Sequence, residues 1–132
     1  MKHRDSPVSR WTAAAAYAGL IAFLSHQPTL PAPGIPNIDK VFHAGEYAVL
    51  AFLLGRAVFP SLRRRPLPER WGLVVLACLL YAISDEMHQA FIPGRSCDPA
   101  DMAADAAGAV LTALFFGVLP RHLRRRLLSI DS

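Results

Sequence analysis

The stretch Ser84 to Asp105, SDEMHQAFIPGRSCDPADMAAD, sets the architecture of this chain. Asp85, Glu86, His88, Gln89, Arg95, Asp98, Asp101 and Asp105 crowd into it, while apolar sequence borders it on both sides, Trp71 to Ile83 before and Ala106 to Leu119 after. A long apolar segment whose last turns are polar, a tight Pro93-Gly94 turn, and a second apolar segment that opens with acids suit two membrane helices meeting at one face of a bilayer. Their charged ends then line a common site.

Composition agrees. Hydrophobic residues make up 53% of the 132 and charged ones only 18%, against roughly 25% charged in ordinary soluble chains. A positive mean hydropathy at this length points to a single multi-spanning domain over residues 1–132. The net charge of +4 does not indicate nucleic acid, because the cations are segregated. Lys2, Arg4 and Arg10 form one cluster; Arg56, Arg63, Arg64, Arg65 and Arg70 a second; Arg121, Arg124, Arg125 and Arg126 a third. Twelve of 14 cations thus share one side, and only Lys40 and Arg95 lie outside. Asp39, Glu46, Asp85, Glu86, Asp98, Asp101 and Asp105, seven of ten acids, fall on the other. Under the positive-inside rule the basic side, with both termini, is cytoplasmic.

Outward from the central stretch, four helices are expected, at about 11–26, 38–59, 71–92 and 99–119. The first is short for a span, but Ser25 and His26 can extend it into the interface. A cleavable signal peptide shares its basic start and apolar core; the absence of a small-x-small site directly after Leu24 favours a retained helix. Pro28, Pro31, Pro33 and Pro36 keep the following connection extended. Asn37 suits the N-cap of the second helix, on which Asp39, Lys40, His43, Glu46 and Tyr47 share one arc of about 120°. Val41, Phe42, Val49, Leu50, Phe52 and Leu53 are expected to face lipid. Asp39 and Lys40 have bland readings as a helix N-terminal acid and a snorkelling cation. His43 and Glu46 lie deeper, where an ionisable group costs about 2.5–3.5 kcal/mol, so they belong to a functional or buried network.

Pro60 to Arg70 reads as a short basic loop, and Trp71 as the interfacial start of the third helix. Asp85 comes about 21 Å further along, in the outer third of a core about 30 Å thick. Tyr81, Asp85, His88 and Gln89 share a face, with Glu86 at its margin. In the fourth helix Asp98 suits N-cap, Pro99 N1 and Asp101 N3. Capping does not explain Asp105, and Asp101, Asp105, Gly108 and Thr112 form a small, polar stripe that turns inward. Cys78 and Cys97 lie too far apart in depth for a disulfide and lack paired zinc spacing.

These residues resemble the VanZ-like family. The resemblance rests on Asp39-Lys40-x-x-His43-x-x-x-Tyr47, on Asp85-Glu86-x-His88-Gln89-x-Phe91-x-Pro93-Gly94-Arg95, on Asp101 with Gly108 seven later, and on the Ser25-x-Gln27-Pro28 exit of the first helix. It implies a four-helix bacterial protein of the cytoplasmic (inner) membrane, related to the cell envelope, whose founding member is associated with low-level resistance to the glycopeptide teicoplanin. Asp105 stands where the family pattern has Asn, and Thr112 where it has a second Gly, which adds an acid to an acidic site.

The expected fold is therefore all-α, an integral membrane four-helix bundle with an outward-facing polar pocket between helices two, three and four. The pocket comprises Asp39, Lys40, His43, Glu46, Tyr47, Asp85, Glu86, His88, Gln89, Arg95, Asp101 and Asp105. Seven acids against two cations leave five formal negative charges, which cannot be buried uncompensated. Protonation, entering water or a bound cation must relieve them. Membrane lipid is the expected partner, not nucleic acid. In one reading Lys40 and Arg95 recognise an anionic headgroup or cell-wall intermediate, Arg95 through its planar bidentate fork. In another, His43, Glu46, Glu86, His88 and Asp105 hold a divalent metal or perform acid–base work on a phospholipid or polyprenyl-linked substrate, although no HExxH-type signature is present. A proton pathway would use the same acids, but polar residues thin out toward the cytoplasmic half. A purely structural network is the plainest alternative.

Overall fold

The computed structural model describes residues 6–27 and 36–128; the basic start with Lys2 and Arg4, the connection with Pro28, Pro31 and Pro33, and residues 129–132 lie outside that range. The described residues are all-α, with helices α1 (Pro7–Ser25), α2 (Ile38–Val58), α3 (Leu67–Gln89), α4 (Pro99–Val118) and α5 (Arg121–Leu127). By length and composition α2, α3 and α4 can each cross a membrane. The first helix does not reach that apolarity, its 19 residues including Ser9, Arg10 and Thr12.

The helix ends follow local chemistry. In α1 the start is Pro7, four residues before the expected Trp11, because Ser6 caps it: its hydroxyl accepts the Ser9 N–H at 3.1 Å and Pro7 has no N–H to orphan. Asn37 does not cap α2 through its side chain; it adopts left-handed backbone, φ 59°, and only turns the chain into the helix. For α3 the start is Leu67 rather than Trp71, since Pro68 and Glu69 suit a first turn, which shortens the predicted basic loop. Its end is Gln89 rather than residue 92. There Ile92 to Arg95 form a hydrogen-bonded turn, Arg95 N–H donating to Ile92 O at 3.0 Å, with Gly94 at φ 83°; Pro then Gly at the two central positions is the type II pattern. The third basic cluster, beyond the four expected helices, is itself helical. It folds into α5, from which Arg124 donates to the carbonyls of Phe116 at 3.1 Å and Gly117 at 3.3 Å, closing off the end of α4.

Helices α1 and α3 run parallel to each other and antiparallel to α2 and α4. Tyr81 O–H donates to Ala18 O at 2.6 Å, and Thr112 Oγ1 to Ala48 O at 3.2 Å. The tightest seam joins α2 to α4: a Cβ placed on Gly108 would stand 2.0 Å from Ala44 O, so only glycine fits. Toward the arginine-rich end, Phe59 meets Trp71 edge-on at 4.8 Å between ring centroids, Trp71 stacks on Phe116 at 5.5 Å, and Leu128 seals the core. Leu50, expected toward lipid, is instead buried in that core: seven residues after His43 it lies within the same arc as the polar stripe, on the side that α1 and α3 cover. Val41, Phe42, Leu80, Met87, Leu111, Leu114 and Val118 remain exposed, the belt a bilayer would cover.

Candidate functional site

Antiparallel packing brings four helix ends together: the last turns of α1 and α3 and the first turns of α2 and α4. The arginines Arg63, Arg64, Arg70, Arg121, Arg124 and Arg125 line a cleft at the opposite end. Nearly all the expected site residues lie at the first of these ends, joined by hydrogen bonds and ion pairs. They divide into two clusters, and Asp85 and Glu86 are where the division falls.

The first cluster joins α2, α3 and α4. Lys40 donates to Asp39 at 2.9 Å, to Asp98 at 2.9 Å and to Asp101. An ammonium has three donors, and all three are engaged, so Lys40 is a clasp between α2 and the start of α4. This neighbour holds the Asp98 carboxyl below the usual carboxylate range. Asp98 also caps α4, accepting the Ala100 N–H at 2.8 Å. Its own N–H, which a capping box would satisfy from Asp101, goes instead to Glu86 Oε2 at 2.9 Å. Glu86, expected at the margin of its face, is fully buried, 0% exposed. One turn into α2, His43 Nδ1 lies 3.0 Å from Asp105 Oδ1, and its Nε2 3.7 Å from Asp101 Oδ2. Asp105 is 1% exposed.

The second cluster joins α1, α3 and the turn after it. Ser25 O–H donates to Asp85 Oδ2 at 2.6 Å, Gln89 Nε2 donates to the same oxygen at 3.1 Å, and Arg95 Nε donates to Gln89 Oε1 at 3.2 Å. Asp85, Gln89 and Ser25 are all buried. His88 stands apart from His43: its Nε2 is 3.2 Å from His26 Nδ1, with the rings stacked at 5.4 Å.

Of the five residues considered for a metal, the structure gathers His43, Glu86 and Asp105, with one ligand atom from each within 4.8 Å of the others. His88 belongs to the other cluster. Glu46 is half-buried, within electrostatic reach of His43, Asp105 and Asp85. Tyr47, 1% exposed, packs against Tyr81 at 6.3 Å and serves the core more than the polar layer. Ser25 and His26 were not among the expected pocket residues: both extended the first helix into the interface, and Ser25 also opened the Ser25-x-Gln27-Pro28 exit. Their signal was two polar residues closing an apolar segment, at the height where α3 also turns polar.

Long apolar helices with exposed hydrophobic belts and buried carboxylates between their ends define a membrane protein with several apolar helices. A model of the VanZ/LLP1 family matches residues 5–120, and the chain belongs to that family. Comparison with curated proteins and with solved structures finds no match.

Proposed function

We propose that this chain is a multi-pass protein of the bacterial inner membrane, with α1 as a fourth span completing a four-helix bundle and both ends cytoplasmic. Its polar layer then faces outward and receives the polar head of an envelope lipid or cell-wall intermediate. The observation that carries this reading is the separation of charge along the bundle: the arginine-lined cleft at one end, the carboxylates and histidines at the other. The positive-inside rule assigns the basic end to the cytoplasm.

With Lys40 held by three carboxylates, an anionic head falls to Arg95, of which Nε is used on Gln89 and whose fork suits a phosphate or carboxylate. A link to glycopeptide resistance of the teicoplanin type follows as the phenotype to examine in cells.

A second reading, an intramembrane enzyme acting on a phospholipid or polyprenyl-linked substrate, draws on one observation: His43 and two buried carboxylates converge from three helices. Such a set is suited to acid–base or metal-assisted chemistry.

The orientation has a direct test in the native cysteines, Cys97 exposed after α3 and Cys78 buried within it. A membrane-impermeant maleimide should label Cys97 in intact spheroplasts and leave Cys78 untouched until the protein is denatured. Labelling of Cys97 only after lysis overturns the outward-facing site. Salt-sensitive binding of anionic lipid that disappears in Arg95→Gln supports head-group recognition, and undiminished binding in that variant refutes it.

A further inference from the structure

We propose that His43, Glu86 and Asp105 form a binding site for a single divalent cation of the zinc or manganese class. The inference deepens the reading above and rests on it for the place of the polar layer, though not for which membrane face that layer occupies.

Three observations carry it. The groups come from three different helices, α2, α3 and α4, and their ligand atoms lie within 4.8 Å of one another. The closest pair, His43 Nδ1 and Asp105 Oδ1, is already at 3.0 Å. Ligands about 2.0–2.2 Å from a metal stand roughly 3–4 Å apart, so rotamer adjustments of about an ångström close the set.

The second observation is Glu86 itself. Its side chain is 0% exposed. One carboxylate oxygen, Oε2, accepts the Asp98 N–H, while Oε1 is buried with no hydrogen-bond partner among the described residues. A buried oxygen left unpaired is costly, more so when charged, and a metal ion supplies the missing partner. The bond from Asp98 meanwhile fixes the carboxylate, as outer partners do for metal ligands.

The third is charge. Asp39, Asp98 and Asp101 already exceed the single charge of Lys40 by two. Glu86 and Asp105 lie deeper, and the group beside them able to carry positive charge is His43, 3.0 Å from Asp105: one imidazole against two carboxylates. Carboxylates at that depth need compensation, and a divalent ion is often the largest local charge in such a site. One imidazole with two carboxylates is a borderline-to-hard donor set, suited to zinc or manganese rather than to the softer ions that thiolates select. Three protein ligands leave at least one coordination position for a phosphate oxygen or water.

The experiment uses the full chain purified in detergent, stripped with chelator and titrated separately with Zn2+ and Mn2+ by calorimetry. Metal content after gel filtration provides the stoichiometry. One equivalent per chain of either ion is expected, with affinity reduced at least tenfold in Glu86→Gln and in Asp105→Asn. Glu86→Gln keeps an oxygen for the Asp98 N–H, so its metal-free melting temperature reports whether folding survives. His88→Gln, in the other cluster, should bind as the parent does. Absence of stoichiometric uptake of both ions by the parent chain overturns the site, as does full affinity in Glu86→Gln or equal loss in His88→Gln. Failure here with Cys97 still labelled from outside removes the metal and leaves the outward-facing layer standing.

Discussion

Asp85 and Glu86 are adjacent in sequence, yet they bind different helices: Asp85 Oδ2 accepts from Ser25 of α1 at 2.6 Å, and Glu86 Oε2 accepts the N–H of Asp98 before α4 at 2.9 Å. Consecutive residues on a helix diverge by about 100°, so a pair of acids at the end of α3 can reach two neighbours at once. Both side chains are buried. The last turn of α3 is thereby fixed to the end of α1 and to the start of α4, and the polar layer becomes two networks sharing one helix.

Ser25→Ala should destabilise the protein by about 1–3 kcal/mol, because a buried carboxylate loses a charge-assisted hydrogen bond. Thermal unfolding in detergent measures it. In a double-mutant cycle with Asp85→Asn the two losses should couple rather than add; strict additivity would mean the 2.6 Å contact contributes nothing.

Gly108→Ala tests the seam between α2 and α4. Its methyl carbon would sit 2.0 Å from the Ala44 carbonyl oxygen, a backbone atom that cannot swing aside. The helices must part, with the about 1–3 kcal/mol typical of overpacking as a lower bound. Gly72→Ala, within α3 and where a Cβ meets nothing within 4 Å, is the matched control and should melt at or slightly above the parent, since alanine favours helix over glycine.

Acid should loosen the Lys40 clasp. Asp98 is held below the usual carboxylate range chiefly by its hydrogen bond to Lys40. A carboxyl depressed on folding contributes stability that is complete above its unfolded value, about 4, and is lost as pH falls through its lower folded value. Melting temperatures between pH 6 and pH 2.5 should fall, and Lys40→Met should flatten that limb relative to the parent. A parallel fall in both proteins would remove Asp98 from the account.

Leu128→Ala should cost about 2–5 kcal/mol, as for other buried leucines, because Leu128 is 0% exposed and packs over Gly55 beside Trp71. If melting is unchanged, the backward fold of α5 contributes nothing to the core.

Much of the helix order was legible in the sequence because apolar runs, proline clusters and charge alternate along it. Asp98-Pro99 marked the start of α4 correctly, since a short acceptor followed by an imino acid is a purely local signal. The start of α3 was harder. Trp71 looks like an interfacial anchor, but it is buried at 4% exposure, and the helix begins with the Pro68-Glu69 turn before it. Seven residues dominated by arginine gave no periodic apolar face, so α5 was invisible; its evidence is tertiary, in Leu128 and in Arg124 reaching back to α4. The polar residues were found, but not their division. Whether His88 faces His43 or His26 depends on where α1 packs, and nothing within α3 records that.

The carbonyl of Ala44 lying against Gly108 has a mechanical consequence. With no side chain between them, the second and fourth helices can neither approach further nor roll past one another without a steric collision, so they behave as one rigid strut. Any rearrangement that admits a ligand must then come from the first helix, which holds Ser25 and His26, or from the turn carrying Arg95.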